Sequence, residues 1–208
     1  MSHFLTVGKT AKYEILGEID KAEILIFALH GYGQLVQYFI KNFYQIDGKI
    51  AVIAPEGLHR FYLSGSSGRV GASWMTKEER ETDITDNLNY LNSLYNLLNV
   101  ENKKTILFGF SQGGATAARW YAESPQLFHH LIMWATVFPP DIELQIKKSH
   151  YQNFFVLGDN DIYFNDLEAE KTITFYEEIG VNCIRFRGDH SIDSDTLKVI
   201  IDQISTNK

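Results

Sequence analysis

The residues with the clearest chemical promise lie in the stretch 105–118, TILFGFSQGGATAA. Within it, Gly109-Phe110-Ser111-Gln112-Gly113 has the form G-x-S-x-G. Such a short pattern carries little weight by itself, and a glycine-rich turn with an incidental serine would look the same. Its surroundings carry more. An apolar run of strand character precedes it and a run of small residues of helical character follows. A strand that turns at once into a helix strains the backbone at the corner, and glycines on either side remove the Cβ atoms that would collide there. The serine hydroxyl then projects above the sheet edge, beside a helix N-terminus that favours negative charge. That is the placement of a nucleophile.

A serine hydroxyl needs a base near neutral pH, and the base needs an orienting carboxylate. On an α/β sheet these groups collect at the carboxyl ends of strands, in the chain order Ser, Asp or Glu, His. Two further strand-like runs end suitably. Residues 153–157 lead into Gly158-Asp159-Asn160-Asp161, and residues 183–186 lead into Arg187-Gly188-Asp189-His190. Asp161 is preferred as the orienting group. Asp159 is the alternative, although Asp and Asn at such a place also serve plain turn formation. His190 is followed by Ile192, Asp193 and Leu197, the pattern of a capped helix with a hydrophobic staple. His3, His30, His59, His129, His130 and His150 lack this combination, and the last three read as surface or strand-edge residues. A serine hydrolase also needs two N–H donors for the developing oxyanion. One is expected from Gln112, after the serine, and the other from Tyr32 in His30-Gly31-Tyr32-Gly33, a glycine-bearing turn after an early strand.

These groups must be held by a scaffold. Apolar runs of strand length occur at 13–19, 23–28, 50–54, 105–110, 131–135, 153–157 and 183–186. Several are continuously apolar, as in strands buried on both faces of a parallel sheet. The first two, separated by Asp20-Lys21, suggest an antiparallel hairpin. Between the strands lie helical periodicities. Ile84, Leu88, Leu91, Tyr95 and Leu98 mark one helix, with Thr76 and Glu79 as a capping box. Leu167, Ile173, Tyr176 and Ile179 mark a second, closed by Gly180. Leu197, Ile200, Ile201 and Ile204 mark the last. Strand and helix alternate, so the fold class is α/β, a mostly parallel central sheet with helices on both faces. Segment 57–73, GLHRFYLSGSSGRVGAS, has no period and reads as a long loop. Its Phe61, Tyr62 and Leu63, with Trp74 just beyond, are candidates for an apolar substrate wall or for anchors of the loop itself.

Length and composition set the outer limits. The 208 residues are 45% hydrophobic and 22% charged, which excludes disorder, collagen and coiled coil and suits one domain spanning 1–208. A net charge of −7 without a basic cluster excludes nucleic acid as a partner. The single cysteine, Cys183, can neither staple the fold nor build a thiolate metal site. It lies in a strand without flanking glycines and reads as an inert side chain rather than a second nucleophile. The opening MSHFLTVGKT lacks the marks of a signal peptide, and no stretch approaches the roughly 20 apolar residues of a membrane span. A cytoplasmic protein without membrane insertion is expected.

With these residues in place, the chain resembles the phospholipase/carboxylesterase family of α/β-hydrolases, which includes acyl-protein thioesterases and small bacterial carboxylesterases. The resemblance rests on LHGYG at 29–33, GFSQGGA at 109–115, G-x-x-D at 158–161 and H-x-I at 190–192, which span nearly the whole chain in the family's order. It implies an α/β-hydrolase fold without a large cap domain. It also implies a Ser111, Asp161, His190 triad, backbone donors at Tyr32 and Gln112, and an acyl ester or thioester substrate, small or lipid-like. No metal or organic cofactor is called for. The chain departs from the family's pattern at Asp189, at Ile162-Tyr163-Phe164 and at Met75-Thr76, places where family members often have glycine, Pro-Val and an aromatic plus Asp.

Overall fold

A computed structural model describes residues 3–46, 48–98, 100, 102–142 and 152–206. The strands are β1 (Tyr13–Leu16), β2 (Ile24–Leu29), β3 (Ile50–Pro55), β4 (His59–Tyr62), β5 (Val70–Ser73), β6 (Lys104–Phe110), β7 (His130–Trp134), β8 (Phe154–Gly158) and β9 (Asn182–Phe186). The helices are α1 (Val36–Phe39), α2 (Arg80–Leu98), α3 (Gln112–Glu123), α4 (Asp166–Glu178) and α5 (Ser194–Thr206). The main sheet runs in the order β1-β3-β2-β6-β7-β8-β9, parallel except for β1, and β4 and β5 form a separate two-stranded ribbon.

The two-residue period of the strands divides the core. Leu25, Phe27 and Leu29 of β2 face a cluster built with α2, α3 and α4, while Ile24, Ile26 and Ala28 face one built with α1 and α5. Both faces of β2 are therefore buried, which is why its sequence ILIFAL is apolar without interruption. Each Leu, Ile or Phe among them contributes roughly 1.5–3 kcal/mol on burial. On α5, Leu197, Ile200, Ile201 and Ile204 are all buried, as their spacing implies. On α4, Gly180 at φ +81° closes the helix, and the Val181 N–H donates to the Tyr176 carbonyl at 2.9 Å.

Four expectations need correction. The first two apolar runs do not pair with each other. β1 ends at Leu16, residues Ile19–Lys21 form a 3-10 turn, and β1 lies antiparallel to β3 with Tyr13 opposite Pro55. The connection lets the chain step over to the sheet edge, so β2 takes parallel partners on both sides. Thr76 and Glu79 make no capping box. Glu79 has φ +50°, outside helical space, and Thr76 Oγ1 bonds locally to the Glu78 N–H at 3.2 Å, so α2 starts at Arg80. Leu167 is exposed, because it sits in the first turn of α4 on the side away from the sheet cluster. Segment 57–73 is no irregular loop. It is the β4–β5 ribbon, whose tip holds Gly65 and Gly68 at positive φ.

Candidate active site

Ser111 stands between β6 and α3 with φ 53° and ψ −121°, a conformation that costs a non-glycine residue on the order of 1–3 kcal/mol. Close packing holds it there. The Ser111 N–H donates to the Trp134 carbonyl at 2.8 Å, and the Gly114 N–H to the Ser111 carbonyl at 2.9 Å. A Cβ on Gly113 would stand 2.3 Å from the Leu29 carbonyl oxygen, and one on Gly109 would stand 2.5 Å from Gly114 Cα. Gly114 matters equally and was not singled out from the sequence. A Cβ there would meet Thr136 Cγ2 at 2.5 Å.

His190 lies on the loop after β9. Its Nε2 is 3.0 Å from Ser111 Oγ and its Nδ1 is 2.7 Å from Asp161 Oδ2. A carboxylate only accepts, so Nδ1 carries the proton, and the Nε2 lone pair faces the serine hydroxyl. The Asp161 side chain is 1% exposed and that of His190 19%. The other carboxylate oxygen, Oδ1, accepts from the Tyr163 N–H at 3.0 Å. The imidazole lies between the rings of Phe110, at 5.0 Å, and Tyr163, at 4.5 Å. Asp159 points elsewhere and pairs with Arg185 at the surface, at 2.8 Å. The two loops are tied together by the Asn160 N–H donating to the Gly188 carbonyl at 2.8 Å. Beyond His190 the chain is pinned by Trp134 Nε1, which donates to the Ser191 carbonyl at 2.8 Å. It is pinned again by Asp193, whose Oδ1 caps α5 by accepting from the Thr196 N–H at 2.8 Å.

The N–H groups of Tyr32 and Gln112 have no protein acceptor among the described residues. The Tyr32 loop is sewn to β5. The Gly33 N–H donates to the Ala72 carbonyl at 2.8 Å, and the Ala72 N–H to the Gln34 carbonyl at 3.2 Å. The Gln112 side chain grips the same region: Nε2 donates to the Met75 carbonyl at 2.7 Å and Oε1 accepts from the Trp74 N–H at 3.1 Å. That second use of Gln112 was not foreseen. A glutamine following the serine, able to donate and accept at once, is the signal that could have suggested it.

Trp74 does not line a substrate wall. It is fully buried, its Nε1 donates to the His30 carbonyl at 2.8 Å, and its ring lies 5.1 Å from that of His30, so it is an anchor. Phe61 packs on the Tyr32 ring at 5.0 Å, Tyr62 and Leu63 are exposed, and Leu63 abuts Gly33. His30 is a strut that the sequence did not reveal. Its Nδ1–H donates to the Gly31 carbonyl at 2.7 Å and its Nε2 accepts from the Gly57 N–H at 2.9 Å. Burial holds this imidazole below its ordinary pKa. His130 is not a surface residue: it opens the interior strand β7 and is buried there, and its Nδ1 meets the Gln152 carbonyl at 2.7 Å. His150 lies outside the described residues. Burial pushes the Cys183 thiol up to about 11, away from the thiolate form a nucleophile requires.

Comparison with known proteins agrees with this architecture. The phospholipase/carboxylesterase family model matches residues 11–208. Similar solved structures include acyl-protein thioesterase 2 of Zea mays, 13% identical, covering 95% of this chain and 99% of that one with a TM-score of 0.72. A Bacillus cereus carboxylesterase is also 13% identical, covering 94% and 93% with a TM-score of 0.71. At such identities the likeness is one of fold. A probable 1-acylglycerol-3-phosphate O-acyltransferase of Oryza sativa subsp. japonica is 31% identical over 105 residues, half of this chain but only 23% of that protein's length. Among the described residues no helix is long and apolar enough to cross a membrane. The chain belongs to the phospholipase/carboxylesterase family.

Proposed function

We propose that the protein is a serine hydrolase that cleaves carboxylic esters by way of an acyl-enzyme. The observation that carries this reading is the continuous chain from Ser111 Oγ to His190 Nε2 at 3.0 Å and from His190 Nδ1 to the buried Asp161 carboxylate at 2.7 Å. Ser111 Oγ attacks the ester carbonyl while His190 Nε2 takes its proton. Asp161 holds the tautomer and stabilises the imidazolium. The tetrahedral oxyanion is met by the Tyr32 and Gln112 N–H groups. Collapse breaks the bond to the alcohol, which leaves with the proton from His190. A water molecule repeats the sequence, giving the free acid and restoring Ser111. No step calls on a metal or organic cofactor.

A thioester would follow the same steps with a thiol leaving. The intact hydrogen-bonded chain, the strained serine and the two unengaged N–H groups favour catalysis over a binding protein on a hydrolase scaffold. The test is reaction with a serine-directed fluorophosphonate, followed by a panel of p-nitrophenyl esters and acyl thioesters of graded chain length. Labelling of the wild type that Ser111→Ala abolishes, with turnover of at least one ester class, is the expected result. An unlabelled and inactive wild type overturns the proposal.

A further inference from the structure

Beside the loop that carries the Tyr32 N–H lies a concavity, between α1 and the β4–β5 ribbon, enclosing about 390 Å³. That volume falls within the range of small-molecule sites. Its apolar part is supplied by Leu35, Phe39 and Val70, and its polar part by Gln34, Tyr38, Asn42 and Arg69. Among the described residues no aspartate or glutamate lines it, although the chain carries 26 acidic residues against 19 basic ones. The nearby buried carboxylate of Glu56 is already engaged by Arg60 at 2.7 Å and by the Val36 N–H at 3.1 Å.

The polar groups form a donor-rich set. Gln34 Oε1 accepts from the Gly31 N–H at 2.8 Å, so that side chain presents its amide hydrogens. Arg69 offers a guanidinium fork that only donates. The arginines paired with carboxylates among the described residues are Arg60, Arg80, Arg119 and Arg185, and Arg69 is not one of them. Lys41, its Nζ 5.4 Å from the centroid of the Tyr38 ring, places a second cation at the edge. An arginine without a carboxylate partner among the described residues, amide donors and a phenol beside apolar side chains match an anion with an apolar body.

The position ties this concavity to the candidate active site. Gln34 bridges to Ala72 on β5, and Val70 lies two strand residues further along, roughly 7 Å away. The groove therefore begins at Gly33 and Gln34, directly after Tyr32 in the chain. Resting on the ester-hydrolase reading above, we infer that this groove binds the far end of the substrate, and that the preferred substrates are acyl esters whose remote end carries an anionic group, a carboxylate or a phosphate, held by Arg69. Arg69 is the specificity-determining residue, and Gln34 and Tyr38 complete the anion contact.

Three p-nitrophenyl esters of equal chain length test this: the octanoate, the suberate half-ester ending in a carboxylate, and an analogue ending in a phosphate monoester. The reading is the ratio of kcat/KM for each anionic ester to that for the octanoate. Arg69→Ala is expected to lower the ratio about tenfold, through KM, the size of one charge-assisted contact. Arg69→Lys recovers part of it, and Arg69→Glu lowers it further. The anionic ester with the larger change identifies the natural end group. A ratio constant to within about twofold across the series overturns the inference. Calorimetric titration of Ser111→Ala with suberate and with octyl phosphate tests the groove without turnover. Binding that disappears in the Ser111→Ala, Arg69→Ala double variant supports it, and no binding of either anion overturns it. If the wild type is neither labelled by fluorophosphonate nor active on any of the three esters, the hydrolase reading fails, and the titration decides the groove by itself.

Discussion

Gly158 and Asp189 touch backbone to backbone: a Cβ on Gly158 would stand 2.5 Å from the Asp189 carbonyl oxygen and 2.6 Å from that of Gly188. The loop that presents Asp161 thus rests directly on the loop that presents His190. Nothing larger than hydrogen fits between them, and a backbone carbonyl cannot swing aside as a flexible side chain could. Gly158→Ala is expected to force the loops apart and lengthen the His190–Asp161 contact. A displacement near 1 Å costs about 10²-fold in turnover. Steady-state kinetics on the variant, with helix content checked by circular dichroism, measures this. Unchanged kcat would show that the loop contact does not set the triad geometry.

Ser111→Ala is expected to abolish ester hydrolysis, by on the order of 10⁴–10⁶ in turnover. It should also relax the strained corner only in part, because the packing of Gly109, Gly113 and Gly114 dictates the turn independently of the hydroxyl. Residual turnover of the purified variant, measured against the wild type at saturating ester, is the readout. Near-wild-type turnover would remove Ser111 from the mechanism.

The two aspartates of the loop after β8 separate cleanly. Asp161→Asn is expected to lose on the order of 10⁴ in turnover, since an amide cannot fix the imidazole tautomer as a carboxylate does. Asp159 is 47% exposed and pairs with Arg185, so Asp159→Asn loses only a surface ion pair of less than about 1 kcal/mol. Turnover of the two variants side by side decides the matter, and the reverse ranking would reassign the orienting role.

His30 gives the fold an acid sensitivity. Its imidazole is held neutral by burial, with a folded pKa below the unfolded value. In the unfolded chain it titrates near 6.5. Below that pH the unfolded state binds a proton that the folded state refuses, so stability is full above about 6.5 and falls as the pH drops. The slope reaches at most about 1.4 kcal/mol per pH unit for this one group. His129 and His130, also lowered by burial, add in the same direction. Urea unfolding from pH 8 to pH 5 is expected to show this slope, and His30→Gln to reduce it. An identical slope in wild type and variant would remove His30 as a source.

What could be read from the residues was whatever depends on local pattern. The corner at Ser111 announces itself because strand, glycines, serine and helix must be contiguous. The helices α2 and α5 announce themselves because burial repeats at helical spacing. What could not be read was set by distant partners. The run at 13–19 looks like half of a hairpin, yet the pairing of β1 is decided by β3, some 40 residues on in sequence. An apolar strand does not encode which neighbour it will find. Segment 57–73 looked structureless because β4 and β5 are short and one of them reads VGAS, with Gly71 pressed against the Gly33 backbone. Trp74 could have served a pocket or a core with equal chemistry. Its partner, His30, lies 44 positions away, and no pattern in the sequence links the two.

The β4–β5 ribbon has one further consequence. It pairs with no strand of the main sheet, yet the Tyr32 loop is fastened to it through Gly33 and Ala72, while the Gln112 side chain clasps the chain where β5 ends. A two-stranded ribbon has little stability of its own and opens more readily than a central sheet. The Tyr32 donor therefore depends on the ribbon, whereas the Gln112 N–H is held by the packed corner between β6 and α3. On warming, a ribbon that lifts while the sheet and its helices remain whole would slacken the Tyr32 donor first. Loss of ester turnover on heating is therefore expected to begin at these eight residues of ribbon, ahead of the unfolding of the core.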